Sequence, residues 1–186
     1  MTAQRSVEEV HSAPDPEAMG ELGVRLGRVL RAGDLVILTG PLGAGKTTLT
    51  RGIGEGLGVR GPVQSPTFVL ARTHPSLVGG APLVHVDAYR LAGPDELEDL
   101  DLDFEGSVVV AEWGAGIVET RADWVEIVIE RPLGDSAAAG ARVGATDAKN
   151  GAISHEDPAD WSEALVEPRR ITVTGYGARW AEGVLG

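Results

Sequence analysis

Gly40-Pro-Leu-Gly-Ala-Gly-Lys-Thr47 decides how this chain reads, because it fits G-x-x-x-x-G-K-[ST], the pattern of a loop that cradles phosphates. The apolar run Leu35 to Thr39 leads into it and a plausible helix from Lys46 to about Leu57 leads out, so the pattern has the strand, loop and helix setting it requires. Glycines allow successive N–H groups to turn inward around an anion, and the following helix directs the positive end of its dipole to the same place. Lys46 then offers an ammonium to the β and γ phosphates, and Thr47 a hydroxyl to Mg2+. Lys46 and Lys149 are the two lysines of a chain that otherwise prefers Arg, which suits a position needing a compact point charge. The expected ligand is Mg-ATP, with ATP as substrate and Mg2+ as cofactor.

Moving outward, Glu17 to Leu30 places Leu22, Leu26, Val29 and Leu30 at helical spacing, and Gly33-Asp34 punctuates before the strand. In the helix after the loop, Gly52, Gly54, Gly56 and Gly58 recur at every second residue, although an interior glycine costs about 1 kcal/mol relative to alanine. Such a helix is expected to lean on its neighbours and its nucleotide.

A phosphate loop needs an acid near its metal, usually at the end of a buried strand. Two runs qualify: Leu83-Val-His-Val-Asp87 ends in Asp87, and Val108-Val-Val-Ala-Glu112 ends in Glu112. Both are short and apolar, as strands covered on both faces are, and both acids fall where α/β sheets bind ligands. Residue pattern does not rank them. His85, on the first of these strands, reads as a packed, hydrogen-bonded residue rather than a base. Between loop and strand, Val63-Gln-Ser-Pro-Thr-Phe-Val-Leu70 bends at Pro66 and exposes the hydroxyls of Ser65 and Thr67, one of which could sense a γ-phosphate or its metal; no glutamine sits in a recognisable water-positioning motif, though Gln64 is near in sequence.

A chain of 186 residues has room for one domain with a real core. Its 16 Lys and Arg against 28 Asp and Glu give a formal charge of −12, which repels nucleic-acid backbones and argues against direct DNA binding. No cysteine is present, so disulfides and thiolate metal sites are excluded and any metal must use oxygen ligands. No segment resembles a signal peptide or reaches the roughly 18–20 apolar residues of a membrane span, so a soluble cytoplasmic protein with no membrane partner is expected. The acidic stretch Asp95 to Asp103, with leucines at 97, 100 and 102, reads as an amphipathic helix with a solvated face or a dock for a basic partner.

Taken in order, Gly40 to Gly52, Ser-Pro-Thr-Phe (Ser65 to Phe68), His-Val-Asp-Ala-Tyr-Arg-Leu (His85 to Leu91) and Ala-Glu-Trp (Ala111 to Trp113) closely resemble the TsaE family. Its members are the small ATPase subunits of the bacterial machinery that makes threonylcarbamoyladenosine at position 37 of certain tRNAs. The likeness spans roughly Glu17 to Glu130. It implies an α/β P-loop NTPase fold and an ATPase that is weak alone and works with a threonylcarbamoyl transferase (TsaD-like) and its inactive paralogue (TsaB-like), meeting tRNA indirectly through the complex. The resemblance assigns phosphate binding to Leu42, Gly43, Ala44, Gly45, Lys46, Thr47 and Thr48. Mg2+ falls to Thr47 and Glu112, with Asp87 beside them, and hydrolysis-linked roles to Asp87, Ser65 and Thr67. Tyr89 and Arg90 would belong to a switch surface. Pro41 stands where the family usually has Asp, Met19 where it tends to have Thr near the base, and Leu70-Ala-Arg72 replaces the common Leu-Val-Glu.

Strands are expected near 35–39, 67–71, 83–87, 107–111, 124–129 and 170–174, and helices near 17–31, 46–57, 94–100 and 177–185. Together they make a three-layer α/β/α sandwich with a mostly parallel central sheet and an antiparallel C-terminal edge. Residues 1–16 read as a flexible N-terminus, and the Ala-, Gly-, Asp- and Ser-rich stretch 134–168, which contains Trp161, as a mobile inserted loop. Three other functions fit a P-loop. A small-molecule kinase would carry an Arg-rich lid, and no lid segment is evident. A GTPase would carry Asn-Lys-x-Asp, yet Asn150 is the sole asparagine. A nucleotide-dependent adaptor would bind without turnover.

Overall fold

In the computed structural model, residues 5–66, 69–90, 102–114, 121–131 and 167–186 are described. In chain order the elements are β1 (Arg5–Ala13), α1 (Pro16–Val29), β2 (Leu35–Thr39), α2 (Lys46–Leu57), β3 (Ala71–His74), β4 (Leu83–Asp87), β5 (Val108–Glu112), β6 (Trp124–Glu130) and β7 (Arg169–Tyr176). The strands form one sheet of seven in the order β1-β7-β6-β2-β5-β4-β3. At its centre β6, β2, β5 and β4 run parallel, while β7 and β1 on one side and β3 on the other add antiparallel pairings.

Alternate residues of each central strand face opposite ways, and two apolar clusters result. Val36 and Leu38 of β2 with Val108 and Val110 of β5 meet Leu22 and Leu26 of α1 and Leu49 and Ile53 of α2. Leu35, Ile37, Val84, Val86, Val109 and Ala111 face the other way, where Leu102 and Phe104 pack on them. Full burial of a Leu or Ile side chain contributes about 1.5–3 kcal/mol. Ile127 and Ile129 of β6 and Ile171 of β7 are fully buried as well, so the flank shares in this stabilisation. The expected helix at 94–100 and the bulk of the expected inserted loop lie outside the described residues.

α1 begins as its sequence dictates: Asp15 accepts the Ala18 N–H at 2.8 Å and Pro16 occupies the first turn. Two of the recurrent glycines, Gly52 and Gly56, are explained by α1, while Gly54 packs against Val63, Val59 and Leu83. A Cβ on Gly52 would come within 2.9 Å of the Gly23 Cα, and one on Gly56 as close to the Gly27 Cα. The two helices therefore touch backbone to backbone, a closeness that outweighs the glycines' entropic penalty.

Three expectations need correction. The N-terminal residues 5–13, read as flexible, form β1 along the edge of β7. Their pattern is inverted for a strand: Val10 is exposed while Glu9 and His11 are partly covered. Glu9 is satisfied there by the Val184 and Leu185 N–H groups at 2.7 and 3.1 Å, partners that arrive from the far end of the chain. The helix expected at 177–185 is only a 3-10 turn, Ala178–Trp180, because Gly177 and Gly183 take positive φ angles of 89° and 112°. Of the strand expected at 67–71, residues 67 and 68 lie outside the described residues; Leu70 turns with φ 62° and β3 begins only at Ala71. β7 is antiparallel to β6 as expected, yet β1 covers it, so the sheet's edge lies one strand further out.

Candidate active site

The loop between β2 and α2 folds because its glycines permit it. Gly43 and Gly45 have φ angles of 73° and 108°, and the Ala44 N–H closes a turn on the Pro41 carbonyl at 3.1 Å. The Ala44 side chain turns into the core, while Leu42 is 93% exposed. α2 starts at Lys46 with Gly45 at its N-cap and no side-chain cap on its first N–H groups.

The Lys46 side chain doubles back over this loop. Its ammonium donates to the Gly40 carbonyl at 2.9 Å and to the Pro41 carbonyl at 3.3 Å. It also stands 3.9 Å from Glu112 Oε2 and 4.5 Å from the centroid of the Trp113 ring. A buried cation needs such partners, and all of them are ones a polyphosphate can replace.

The two acid-ended strands converge on the same spot. β4 and β5 are parallel neighbours in which Asp87 lies opposite Glu112, so the residues the sequence left unranked sit side by side. Each is 8% exposed, at the carboxyl end of its strand. Glu112 Oε1 is 3.0 Å from His85 Nε2, and Asp87 Oδ1 accepts the Tyr89 N–H at 3.3 Å. Thr47, half-buried, sits in the first turn of α2. The three side chains offer only oxygen, a donor set that fits a small hard divalent cation with water and phosphate completing its shell.

A cavity of about 670 Å³ unites these groups, lined by Leu42, Gly43, Gly45, Lys46, Thr47, Thr48, Ser65, Asp87, Tyr89, Glu112 and Trp113. Of the residues singled out in the sequence, Thr67 lies outside the described residues, and Gln64 is held away by Arg72, which donates to it at 2.7 Å. Two contributors escape sequence reasoning. Trp113, with φ 64°, is turned so that its ring covers Lys46 and meets Tyr89 edge-on at 6.1 Å; the Ala-Glu-Trp string was visible, the turn was not. Arg131, just past β6, donates to the Gly43 carbonyl at 3.2 Å, a contact across 88 residues that no local pattern announces.

Comparison with known proteins identifies the family. The family model described as "Threonylcarbamoyl adenosine biosynthesis protein TsaE" matches residues 13–136. A tRNA threonylcarbamoyladenosine biosynthesis protein TsaE of Streptomyces coelicolor is 54% identical over 167 residues, covering 88% of this chain and 94% of that protein. The protein of the same name from Bacillus subtilis is 40% identical over 122 residues, 63% of this chain and 74% of the relative. The crystal structure of Bacillus subtilis YdiB is similar with a TM-score of 0.60 and 28% identity, over 95% of this chain and 90% of that one.

Proposed function

Because the chain belongs to the TsaE family of threonylcarbamoyl adenosine biosynthesis proteins, we propose that it is the subunit that binds and hydrolyses ATP during threonylcarbamoyl modification of adenosine 37 in tRNAs reading ANN codons. The observation that carries this reading is the Lys46 ammonium, resting on two loop carbonyls beside Glu112 at the rim of a cavity large enough for a nucleotide.

In this mechanism the amides of Leu42 to Thr48 surround the polyphosphate, and Lys46 exchanges the Gly40 and Pro41 carbonyls for phosphate oxygens. Thr47 and Glu112, with Asp87 alongside, are the residues that would hold Mg2+, whose chemistry is to neutralise charge on the β and γ phosphates. Asp87, Ser65 and Thr67 act on the γ-phosphate side, orienting water and excluding bulk solvent. Turnover is slow in the isolated protein and rises when a TsaD-like threonylcarbamoyl transferase and its TsaB-like paralogue complete the site. A chain with net charge −12 reaches tRNA through those partners rather than by its own surface. A cytoplasmic setting follows from that work; among the described residues no helix is long and apolar enough to cross a membrane.

Two measurements test the reading. Titration calorimetry with Mg-ATP should show saturable heat, and absence of heat up to millimolar nucleotide would overturn nucleotide binding. Phosphate release should be slow for the protein alone and strongly stimulated by the two partners with tRNA. Unstimulated turnover would remove the partner assignment, and binding without turnover in both settings would favour an adaptor.

A further inference from the structure

His85 is a histidine inside a strand whose five residues are all buried, and it is itself 0% exposed. Leucine or valine would fill that volume without a polar atom to satisfy, so packing alone gives no reason for the imidazole. Its Nε2 lies 3.0 Å from Glu112 Oε1, and its Nδ1 has no hydrogen-bond partner. That asymmetry fixes the tautomer. A proton on Nδ1 would leave a buried N–H unmatched and set two acceptors against each other at Nε2, whereas a proton on Nε2 points at a carboxylate oxygen and leaves only a lone pair unsatisfied.

With Nε2 as the donor, the two oxygens of Glu112 have separate fates. Oε1 is tied to β4 by His85, and Oε2 faces Lys46 at 3.9 Å across the cavity rim. In the proposed mechanism Lys46 moves to phosphate, whereas His85 is fully buried within β4.

We propose that His85 is a positioning residue: its Nε2–H anchors one oxygen of Glu112 so that the other is presented, already oriented, to the cation that accompanies the nucleotide. This deepens the proposed ATPase reading and rests on it. His85 touches neither nucleotide nor metal. A carboxylate that must find its rotamer at each binding event holds a cation more weakly than one held in place, and loss of such an outer hydrogen bond typically lowers metal affinity about 10–100-fold.

The test uses Mn2+ as probe, with electron paramagnetic resonance reporting its affinity for the ADP complex of the full chain. His85→Leu should weaken Mn2+ binding by about tenfold or more. Its affinity for metal-free ADP, by calorimetry, should stay within about twofold of wild type. His85→Gln, whose amide N–H reaches the place of Nε2, should recover most of the loss, and His85→Asn, whose amide falls at the Nδ1 position, should not. A merely structural histidine would lower melting temperature in all three variants without this ordering. If His85→Leu does not fold, the Gln and Asn pair decides: equal Mn2+ affinities overturn the assignment, and a Gln advantage supports it. Wild-type affinity in a folded His85→Leu protein overturns it as well. Should the wild-type protein bind no Mn2+ with nucleotide, the failure belongs to the ATPase reading; wild-type binding with insensitive variants refutes only the role of His85.

Discussion

The two sides of the sheet's central strand differ in how they are assembled. Toward β5 and β4, Asp87 and Glu112 sit at the carboxyl ends of parallel neighbouring strands, and Lys46 and Thr47 at the start of α2. Toward β7 and β1, the sheet is antiparallel and joins the two ends of the chain, with Glu9 bonded to the N–H groups of Val184 and Leu185. The family match at 13–136 takes in the first side and stops short of β7. The difference teaches that parallel strand order brings the two acids together beside the loop, while the flank is closed by joining the two ends of the chain. Changes on the first side should disturb ligands, and changes on the second should disturb stability alone.

The largest expected effect is at Lys46. Lys46→Ala removes the ammonium that lies over the loop, and hydrogen bonds to charged groups are each worth about 1.5–3 kcal/mol. Mg-ATP affinity should fall by at least about tenfold in calorimetry while the urea midpoint changes little. A fall in stability with affinity intact would reverse the contrast between the two sides.

Next in size is the contact between helices, which supports the loop from beneath. Gly52→Ala would drive a methyl into α1 and should destabilise by about 1–3 kcal/mol in urea unfolding, because overpacking a close contact forces backbone shifts. Gly20→Ala is the control: nothing lies within 4 Å of its Cβ, so a helical position gains up to about 1 kcal/mol. Equal effects of the two substitutions would refute the backbone-to-backbone account of α1 and α2.

Those glycines show where sequence reading succeeds and where it stops. The limits of α2 and of β4 were legible to the residue, since loop motif and apolar runs are local signals. Alternating glycines signalled that α2 needs support, but not that Gly23 and Gly27 supply the matching surface. Asp87 and Glu112 could be named as candidates, and their adjacency could not, because it depends on which strands pair. β1 was illegible for a stronger reason: with Glu9 turned inward and Val10 outward, its polarity pattern contradicts its structure until the C-terminal N–H groups are known.

Glu9 therefore gives the flank its own test. Burial would raise its carboxyl pKa, but the backbone N–H groups of Leu185 and Val184 and the neighbouring His11 outweigh burial and hold it below its ordinary 4.5. A carboxylate whose folded pKa is depressed stabilises fully above its unfolded pKa, and that contribution fades as pH falls through the folded value. Wild type should lose this increment below about pH 4.5, whereas Glu9→Gln should be less stable at pH 7 by about 1 kcal/mol and lack this part of the acid sensitivity. Nucleotide affinity should be the same in both. An affinity change would mean that the flank reaches the site.

Arg131 is where the two sides meet, and it carries the smallest effect. It follows β6, the strand that joins the parallel centre to the antiparallel flank, and it touches the phosphate loop through a single 3.2 Å hydrogen bond to the Gly43 carbonyl. The contact is exposed, so its net worth is at most about 1 kcal/mol, with solvent competing for both partners. Gly43 also stands at φ 73°, a conformation that favours glycine, and a Cβ there would come within 2.9 Å of the mobile guanidinium, which could shift aside. Arg131→Ala should weaken Mg-ATP binding by a few-fold at most, and Arg131→Lys should fall between, since a lysine can donate to the same carbonyl without the planar fork. Calorimetry can resolve that difference. A loss as large as that of Lys46→Ala would mean that the guanidinium leaves the carbonyl to join the phosphates, and that the flank contributes a ligand group after all.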